Sequence, residues 1–355
     1  MAGASVGAWL SPWGGYAGRE ERVNAARREG FETIGKGEKA TFVFHGERYY
    51  KRFRETVFNL MDDYGVSLFK FDGIGSMTGS KGASFAADFA AMIQLLREIR
   101  EKNNDVWINL STGTWPSPFW LQHADCIWRR GHDHYYAGEG PPRERWMTYR
   151  DGQTYKNIVQ VSPLFPLSSL MLHGVIYAKH AWDLNLPDQS LHFVSEARSA
   201  AGSGTMLQEL YITPSLLGKP EWDALAESAK WARKHARTMI DTHWVGGDPN
   251  KLQIYGWASW RGGVSNGLAR GDAILTLRNP ASDAAIIELD AATIFELPEH
   301  APQTYRMVSP YEEQRVRKLV LVAGHIVKLA VGPFEVLSFE ADAIEKNLDS
   351  QNAPQ

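Results

Sequence analysis

Two carboxylates in this chain each follow a short apolar run, a position from which an acid can do chemistry. Asp72 ends the run Val66-Ser-Leu-Phe-Lys-Phe-Asp72 and is followed by Gly73. Asp133 comes five positions after Trp128 in the segment Trp128-Arg-Arg-Gly-His-Asp133. A pair of acids held at strand ends is typical of enzymes that cleave a glycosidic bond. The two segments therefore predict a glycosidase that works with two carboxylates.

Asp72 has the surroundings that a carboxylate nucleophile needs. Lys70 lies two positions earlier, so both side chains point to the same face of a strand. A nearby ammonium group favours the ionised form of a carboxylate, and a nucleophile must be ionised. The alternative is an Asp that only begins the turn at Gly73.

Asp133 is the candidate general acid. Such a group must carry a proton while its partner is ionised, and aromatic neighbours favour the protonated form. The alternative is a loop Asp that pairs with Arg129 or Arg130. Asp125 and Glu139 are rival acids in the same part of the chain.

Aromatic and amide side chains supply candidate sugar contacts. The chain has 13 Trp, 13 Tyr and 15 Phe, and most of these must pack in the core. Some Trp residues stand at predicted strand ends, where a flat ring can lie against the C–H face of a sugar. The candidate sugar platforms are Trp9, Trp13, Trp115 and Trp128. Asn109 and Ser111, which share one face of a predicted strand, are candidate partners for sugar hydroxyls.

Short apolar runs alternate with helical patterns over the first two-thirds of the chain. Helices are predicted over Glu47 to Tyr64, Phe85 to Lys102 and Glu221 to Thr242 from apolar spacings of three and four. This alternation predicts parallel βα units and hence a (β/α) barrel, with Asp72 and Asp133 at the carboxyl ends of strands. The predicted strands are Ser5 to Trp13, Ser67 to Asp72, Asp105 to Ser111, Cys126 to Arg130, His173 to Ala178 and Gln208 to Thr213.

The pattern changes near residue 245. Trp244 to Asn250 is rich in turn residues and is predicted to be a linker. Short alternating strands follow it, which predicts an antiparallel β-sandwich. The expected domains are a catalytic barrel over 1–245, a sandwich over 246–342 and a polar tail over 343–355. Only six barrel strands are found where a closed barrel needs eight. Either two strands lie unrecognised in the loops or the first strands are absent, and we favour a TIM barrel that lacks its first strands.

Composition narrows the classes of function. The chain has 355 residues, a net charge of −3 and no charged arm, which argues against a nucleic-acid surface. No apolar run is long enough for a membrane span, and the first residues lack a signal-peptide pattern. We expect a cytoplasmic protein if the chain is complete and a periplasmic or secreted one if an upstream signal is missing. Oligomerisation stays open.

No cofactor or metal is expected. His123, His132 and His134 lie near the candidate acids, but their spacing matches no zinc signature, and Cys126 is the only cysteine. No glycine-rich segment has the spacing of a phosphate-binding loop. No Gly-x-Ser-x-Gly elbow is present, which argues against a serine hydrolase.

The segments around both acids resemble a known group of enzymes. Lys70-Phe-Asp72 resembles the Lys-aromatic-Asp nucleophile motif of the clan D retaining α-glycosidases, which are the α-galactosidases and α-N-acetylgalactosaminidases of glycoside hydrolase families 27 and 36. Trp128-Arg129 followed by Asp133 is similar to the Trp-Arg-x-x-Gly-Asp segment that carries the acid/base in family 27. Val6 to Trp13 looks like the third barrel strand of family 36, which ends in Trp-x-x-Pro.

This resemblance implies a retaining exo-α-glycosidase for terminal α-galactosides or α-N-acetylgalactosaminides. Asp72 would be its nucleophile and Asp133 its acid/base, while Lys70 and Arg129 would hold sugar hydroxyls. Gly131 and His132 depart from the family 27 segment, which has Thr and Gly there. The substrate would be an oligosaccharide or glycoconjugate. The alternatives are a non-catalytic carbohydrate-binding remnant of a truncated barrel, and an endo-acting or transferase variant of the same scaffold.

Overall fold

The computed structural model describes most of the chain. The described residues are 4–73, 83–111, 113, 117–185, 192–265 and 268–344. The chain forms two compact units, residues 1–130 and 131–355. This division falls within the Trp128–Asp133 segment, so Asp72 belongs to the first unit and Asp133 to the second.

The first unit contains parallel strands joined by helices. Strands β1, β4, β5 and β6 pair in parallel in that order, and β2 and β3 form a separate small hairpin. The elements are β1 (Val6–Leu10), α1 (Arg19–Arg28), β2 (Thr33–Ile34), β3 (Thr41–Phe42), α2 (Glu47–Tyr64), β4 (Val66–Phe71), α3 (Ala83–Lys102), β5 (Trp107–Leu110) and β6 (Cys126–Trp128).

Helix α2 shows how the apolar pattern sets an element and its end. Tyr49, Phe53 and Val57 recur every four residues and form the buried stripe of the helix. Gly65 ends the helix in the left-handed conformation with φ 63°, where a residue with a Cβ is disfavoured. Strand β4 begins at the next residue, Val66, and therefore leads directly to Asp72.

The second unit begins with one more helix–strand region and continues into antiparallel strands. Strands β7 and β8 pair in parallel. The elements are α4 (Pro142–Thr154), β7 (Leu170–Tyr177), α5 (His192–Gly202), β8 (Leu207–Ile212), α6 (Lys219–Lys234), β9 (Thr242–Gly246), β10 (Tyr255–Ser265), β11 (Leu268–Arg278), β12 (Ala285–Leu289), α7 (Ala291–Ile294), β13 (Thr304–Val308), β14 (Lys318–Val322), β15 (Val327–Val331) and β16 (Val336–Ile344).

The antiparallel strands form two sheets that share one apolar core. The larger sheet has the order β14-β13-β16-β11-β10-β9, and the smaller one pairs β12 with β15. Leu275 of the larger sheet and Leu289 and Val331 of the smaller sheet belong to the same buried cluster. An antiparallel C-terminal region with a common core is therefore present.

The opposite face of the larger sheet packs against helices through a buried ionic cluster. Arg278 of β11 donates to Glu144 of α4 at 2.8 Å, and neither side chain is exposed to solvent. Tyr255 of β10 donates to Asp151 of α4 at 2.6 Å, and Asp151 also pairs with Arg150 at 2.7 Å. Removing one partner of such a pair leaves the other charge buried and unpaired, which destabilises the fold by about 3–5 kcal/mol. This cluster fixes α4 to the sheet.

The structure confirms most of the predicted elements. Six parallel strands occur among the described residues, as expected for a partial (β/α) barrel. Helix α2 has the predicted ends, whereas α6 ends eight residues before the predicted Thr242. The predicted linker is wrong in its first part, because Trp244 lies in strand β9 and pairs with Trp257. The sequence patterns did not predict helices α1, α4, α5 and α7.

Helix composition also bears on the membrane. Over the described ranges, no helix combines the length and the apolar character that crossing a bilayer requires.

Candidate active site

Asp72 follows the last residue of β4 and is held firmly in the first unit. Its side chain is almost fully buried, with 7% of the residue exposed. The Oδ1 atom accepts hydrogen bonds from the Ser111 hydroxyl at 3.0 Å and from the Tyr16 hydroxyl at 3.3 Å. Two hydroxyl donors on one oxygen fix the orientation of the carboxyl group, as a nucleophile requires.

The loop after β1 holds the backbone of Asp72 as well. The Trp13 indole N–H and the Ser11 hydroxyl both donate to the Asp72 carbonyl, each at 2.8 Å. The Asp72 amide in turn donates to the Leu10 carbonyl at 2.8 Å. Strand-end loops of parallel strands are where barrel enzymes build their sites, and here one loop fixes a residue of the next strand in the sheet.

Trp9, Lys70 and Asn109 are neighbours across the sheet. The parallel register pairs Trp9 with Lys70, and Lys70 with Asn109. Asn109 is fully buried, and its amide donates to the Cys126 backbone carbonyl at 3.3 Å and contacts Cys126 Sγ at 3.0 Å. Trp9 is 50% exposed and stacks on Tyr16, with ring centroids 6.3 Å apart. The register of the three strands thus places three predicted site residues side by side.

The two Trp residues of the β1 region differ in what they can offer a sugar. Trp9 keeps an exposed ring beside Tyr16. Trp13 is 2% exposed, and Tyr16 packs edge-on against it at 5.2 Å, while the Arg19 guanidinium lies 4.7 Å from the ring centroid. In this structure Trp13 therefore positions Asp72, and Trp9 has the accessible ring.

The remaining predicted binding residues lie at or beyond strand ends. Trp128 is the last residue of β6, and Arg129 follows it as a fully buried side chain with its guanidinium 5.9 Å from the Trp128 ring centroid. Trp115 lies outside the described residues.

Asp133 has very different surroundings in the second unit. Its side chain is 66% exposed, and its Oδ1 atom is 3.8 Å from Nε2 of His173. His173 lies on β7, is 3% exposed and faces Glu209 of β8, with Nε2 and Oε2 3.3 Å apart. The parallel register of β7 and β8 places His173 and Glu209 side by side. An imidazole between two carboxylates can carry or share a proton.

The rival acids have structural partners. Asp125 pairs with Arg100 at 2.7 Å and accepts the Ile108 amide at 2.6 Å, which closes the loop before β6. Glu139 accepts the hydroxyl and the amide of Ser282, and these hydrogen bonds lower the pKa of Glu139. A carboxylate so stabilised is poorly suited to donate a proton.

The sequence did not predict four of the residues that surround Asp72 and Asp133. Ser11 and Tyr16 lie in the loop after β1, and a hydroxyl in a loop carries no periodic signal. His173 and Glu209 lie within strands, where the polar residue in a buried run was the available clue. Across the described residues, no three or more His, Cys, Asp or Glu side chains are gathered as metal ligands.

Comparison with known proteins supports the fold and gives no close relative. No family model matches the sequence, and no curated protein matches it. Among solved structures, the family 36 α-galactosidase AgaA of Geobacillus stearothermophilus, in complex with raffinose, aligns with a TM-score of 0.61 and 13% identity. That alignment covers 96% of this chain and 45% of the other.

α-Galactosidase I of Mortierella vinacea aligns with a TM-score of 0.52 and 10% identity over 96% of this chain and 77% of its own. The chain has a clan D-like α-galactosidase fold. An α-amylase from Anoxybacillus also aligns, with a TM-score of 0.56 and 8% identity over 96% of this chain and 76% of that chain. These neighbours are glycoside hydrolases that share the fold of this chain, and a function has to be argued from the site.

The chain is short beside some of its structural neighbours. It spans less than half the length of AgaA and 44% of the galactosidase domain structure of an α-galactosidase-sucrose kinase.

Proposed function

We propose that this protein is a retaining exo-α-glycosidase that hydrolyses terminal α-galactoside or α-N-acetylgalactosaminide linkages. The observation that carries the proposal is the buried Asp72 carboxylate after β4, held by Ser111 and Tyr16 in an α-galactosidase-like scaffold. One of these neighbours was crystallised with raffinose, an α-galactoside. The matching Lys70-Phe-Asp72 motif supports the same reaction.

The proposed reaction has two displacements. Asp72 attacks the anomeric carbon and forms a covalent glycosyl ester, while the proton of Asp133 passes to the leaving oxygen. Asp133 then takes a proton from water, which attacks the same carbon and releases the sugar with Asp72 restored. Two inversions give net retention. The distance between the two carboxyl groups must be about 5–5.5 Å for this route, against about 6.5–9.5 Å for inversion.

The other predicted residues act in binding under this proposal. Lys70 and Arg129 hold sugar hydroxyls, and Asn109 and Ser111 are further partners for these hydroxyls. Trp9 supplies an exposed aromatic face for the sugar ring. Trp115 and Trp128 remain candidate platforms, and the buried Trp13 positions Asp72 instead. We also propose that residues 1–245 form the catalytic barrel, 246–342 a β-sandwich and 343–355 a tail.

The test is release of p-nitrophenol from four substrates, the α-galactoside, α-N-acetylgalactosaminide, α-glucoside and α-xyloside, by the wild type and by Asp72→Asn. We expect release from one of the first two, lost in the variant. The matched control is Asp63→Asn, a change on the exposed end of α2. Proton NMR of the first product then decides the mechanism, because an inverting enzyme gives the β-anomer and a retaining one the α-anomer.

A second candidate function is carbohydrate binding without turnover. The 66% exposure of Asp133 favours it, because an open carboxylate lacks the apolar enclosure of a general acid. Saturable galactose binding in a folded protein that is silent on all four substrates, and unchanged by Asp72→Asn, would establish this alternative. Activity on internal linkages of a polymer, or transfer to an added sugar, would instead indicate the endo-acting or transferase variant.

A further inference from the structure

The second unit contains a cavity that is strongly cationic and takes no part in the proposed glycosidase reaction. It has a volume of about 580 Å³ and lies where the end of α6 meets the larger antiparallel sheet. Volumes of roughly 300–1,000 Å³ are typical of small-molecule sites. Five arginines line this cavity: Arg233, Arg237, Arg261, Arg270 and Arg306.

Strand alternation explains why the cavity is charged. Along β11, Ala273, Leu275 and Leu277 point into the core that the two sheets share. The intervening residues point to the other face, where Ile274 packs under Trp231 of α6. Asp272 lies two positions before Ile274 and therefore points to the same face of β11. There it lines the cavity together with Arg261 and Arg270, so this part of the face is polar.

The cationic side chains outnumber the acids that could neutralise them. Lys234 adds a sixth positive charge to the arginines, and among the described residues two carboxylates, Asp272 and Glu340, line the cavity. The whole protein, by contrast, carries a net charge of −3. This cavity therefore concentrates positive charge on an otherwise slightly acidic molecule.

Both acids are already engaged. Asp272 faces Arg270 at 3.3 Å and Arg261 at 4.0 Å. Glu340 accepts from His235 and Lys234, each at 2.7 Å, and from Trp231 at 2.8 Å. The hydrogen bonds from His235, with those of Lys234 and Trp231, lower the pKa of Glu340 to about 2. The lowered pKa of Glu340 indicates that its surroundings are positively charged.

Three arginines of the cavity have no acidic partner among the described residues. Within the part of the chain that the structure describes, no carboxylate forms an ion pair with Arg233, Arg237 or Arg306. A basic residue in the last turn of α6 is explained by the negative end of the helix dipole, and this accounts for Arg233. It does not account for Arg237, which lies beyond the helix, or for Arg306 on β13.

We propose that this cavity binds a tetrahedral oxyanion, a phosphate or a sulfate, either free or as the ester group of a sugar. Guanidinium groups present paired N–H donors that match two oxygens of such an anion. The concave shape favours a compact ligand over an extended polyanion. The site is independent of Asp72 and Asp133, so it stands whether or not the glycosidase proposal holds.

Titration calorimetry at low ionic strength tests the site with inorganic phosphate, inorganic sulfate and galactose 6-sulfate, with galactose as the uncharged match. We expect one anion per chain and no effect of galactose. The double variant Arg237→Gln/Arg306→Gln should weaken binding at least about tenfold, because each removes a charge-assisted hydrogen bond. The control Lys251→Gln/Lys156→Gln removes the same charge from exposed positions that do not line the cavity and should bind as the wild type does.

The outcomes separate the two sources of the anion. Equal affinity for inorganic sulfate and galactose 6-sulfate indicates a free anion, and tighter binding of the sugar ester indicates a sulfated or phosphorylated glycan. Unchanged affinity in Arg237→Gln/Arg306→Gln would overturn the proposal. Binding of long polyanions alone, with no saturation by the small anions, would also overturn it. The same titration on Asp72→Asn should match the wild type, which keeps this test apart from the test of catalysis.

Discussion

The two carboxylates proposed for catalysis have opposite surroundings. Asp72 is 7% exposed, and two hydroxyls hold its side chain while a neighbouring loop holds its backbone. The Asp133 side chain is 66% exposed and has a His173 nitrogen 3.8 Å away. A nucleophile must attack along one line, so fixed geometry matters most for it. A proton carrier must reach both the leaving group and water, but it also has to hold its proton, and the open position of Asp133 gives it less apolar enclosure than that role favours.

Removal of the proposed nucleophile should have the largest effect. We expect Asp72→Gly to lower kcat by about 10⁴-fold or more, the scale seen for lost nucleophiles. Azide should restore part of the activity with a nitrophenyl substrate and give the β-glycosyl azide, because the small anion replaces Asp72 and a single inversion occurs. NMR of the azide product checks this. An α-azide from this variant would show that Asp72 is not the nucleophile.

Removal of the proposed acid/base should cost less and should depend on the leaving group. For Asp133→Gly we expect a loss of about 10²–10⁴-fold with poor leaving groups and a smaller one with nitrophenol, which needs no proton. Azide should here give the α-glycosyl azide, since it attacks the covalent intermediate. Rates on nitrophenyl and unactivated disaccharide substrates measure the difference. Equal losses on both substrates would contradict an acid role for Asp133.

The hydroxyls that orient Asp72 should have an intermediate effect. Ser111→Ala and Tyr16→Phe each remove one hydrogen bond to a carboxylate, for which we expect about a tenfold loss in kcat/KM. Tyr64→Phe, on a 70% exposed residue, is the matched control and should leave kinetics unchanged. Thermal unfolding of all three variants separates lost catalysis from lost folding. If kcat/KM stays at the wild-type value in both site variants, positioning by hydroxyls is refuted.

Replacement of a third carboxylate, Glu340, should have the smallest effect, and its surroundings contrast with those of Asp133. Hydrogen bonds from His235, Lys234 and Trp231 lower the pKa of Glu340 to about 2. Asp133, by contrast, lies 3.8 Å from a His173 nitrogen. A lowered folded-state pKa adds stability that is complete above the ordinary value of about 4.5 and is lost as the pH falls towards 2. Because the group is partly solvated, we expect Glu340→Gln to lose about 1–2 kcal/mol at pH 7.

Denaturant unfolding of the wild type and of Glu340→Gln at pH 7, 4.5 and 2.5 measures this contribution. The difference between them should shrink at the lowest pH, and nitrophenol release at pH 7 should be unaffected. A difference in unfolding free energy that does not change with pH would contradict the ionic role of Glu340. Lys328, which pairs with the exposed Glu288 at 3.1 Å, offers a control: Glu288→Gln should change stability by less than about 0.5 kcal/mol.

Local sequence predicted the scaffold around Asp72 well. Helix α2, strand β4 and the end of that strand before Gly73, which has φ 86°, follow from apolar spacing and from a glycine at each break. Parallel register then brings Trp9, Lys70 and Asn109 together, because their positions along successive strands are fixed by the same strand ends. Helices α4 and α5 were missed because their interiors carry buried charges, which mask the apolar period.

The sequence by itself determined which residues could do chemistry, since the Lys70-Phe-Asp72 run and the Trp128–Asp133 segment are local patterns. Only the tertiary structure decided their partners. Ser111 and Tyr16 reach Asp72 across 39 and 56 positions, and Arg306 joins α6 and β11 at the cationic cavity from a separate strand. Such contacts depend on strand order and packing, and spacing within one segment of the chain cannot encode them.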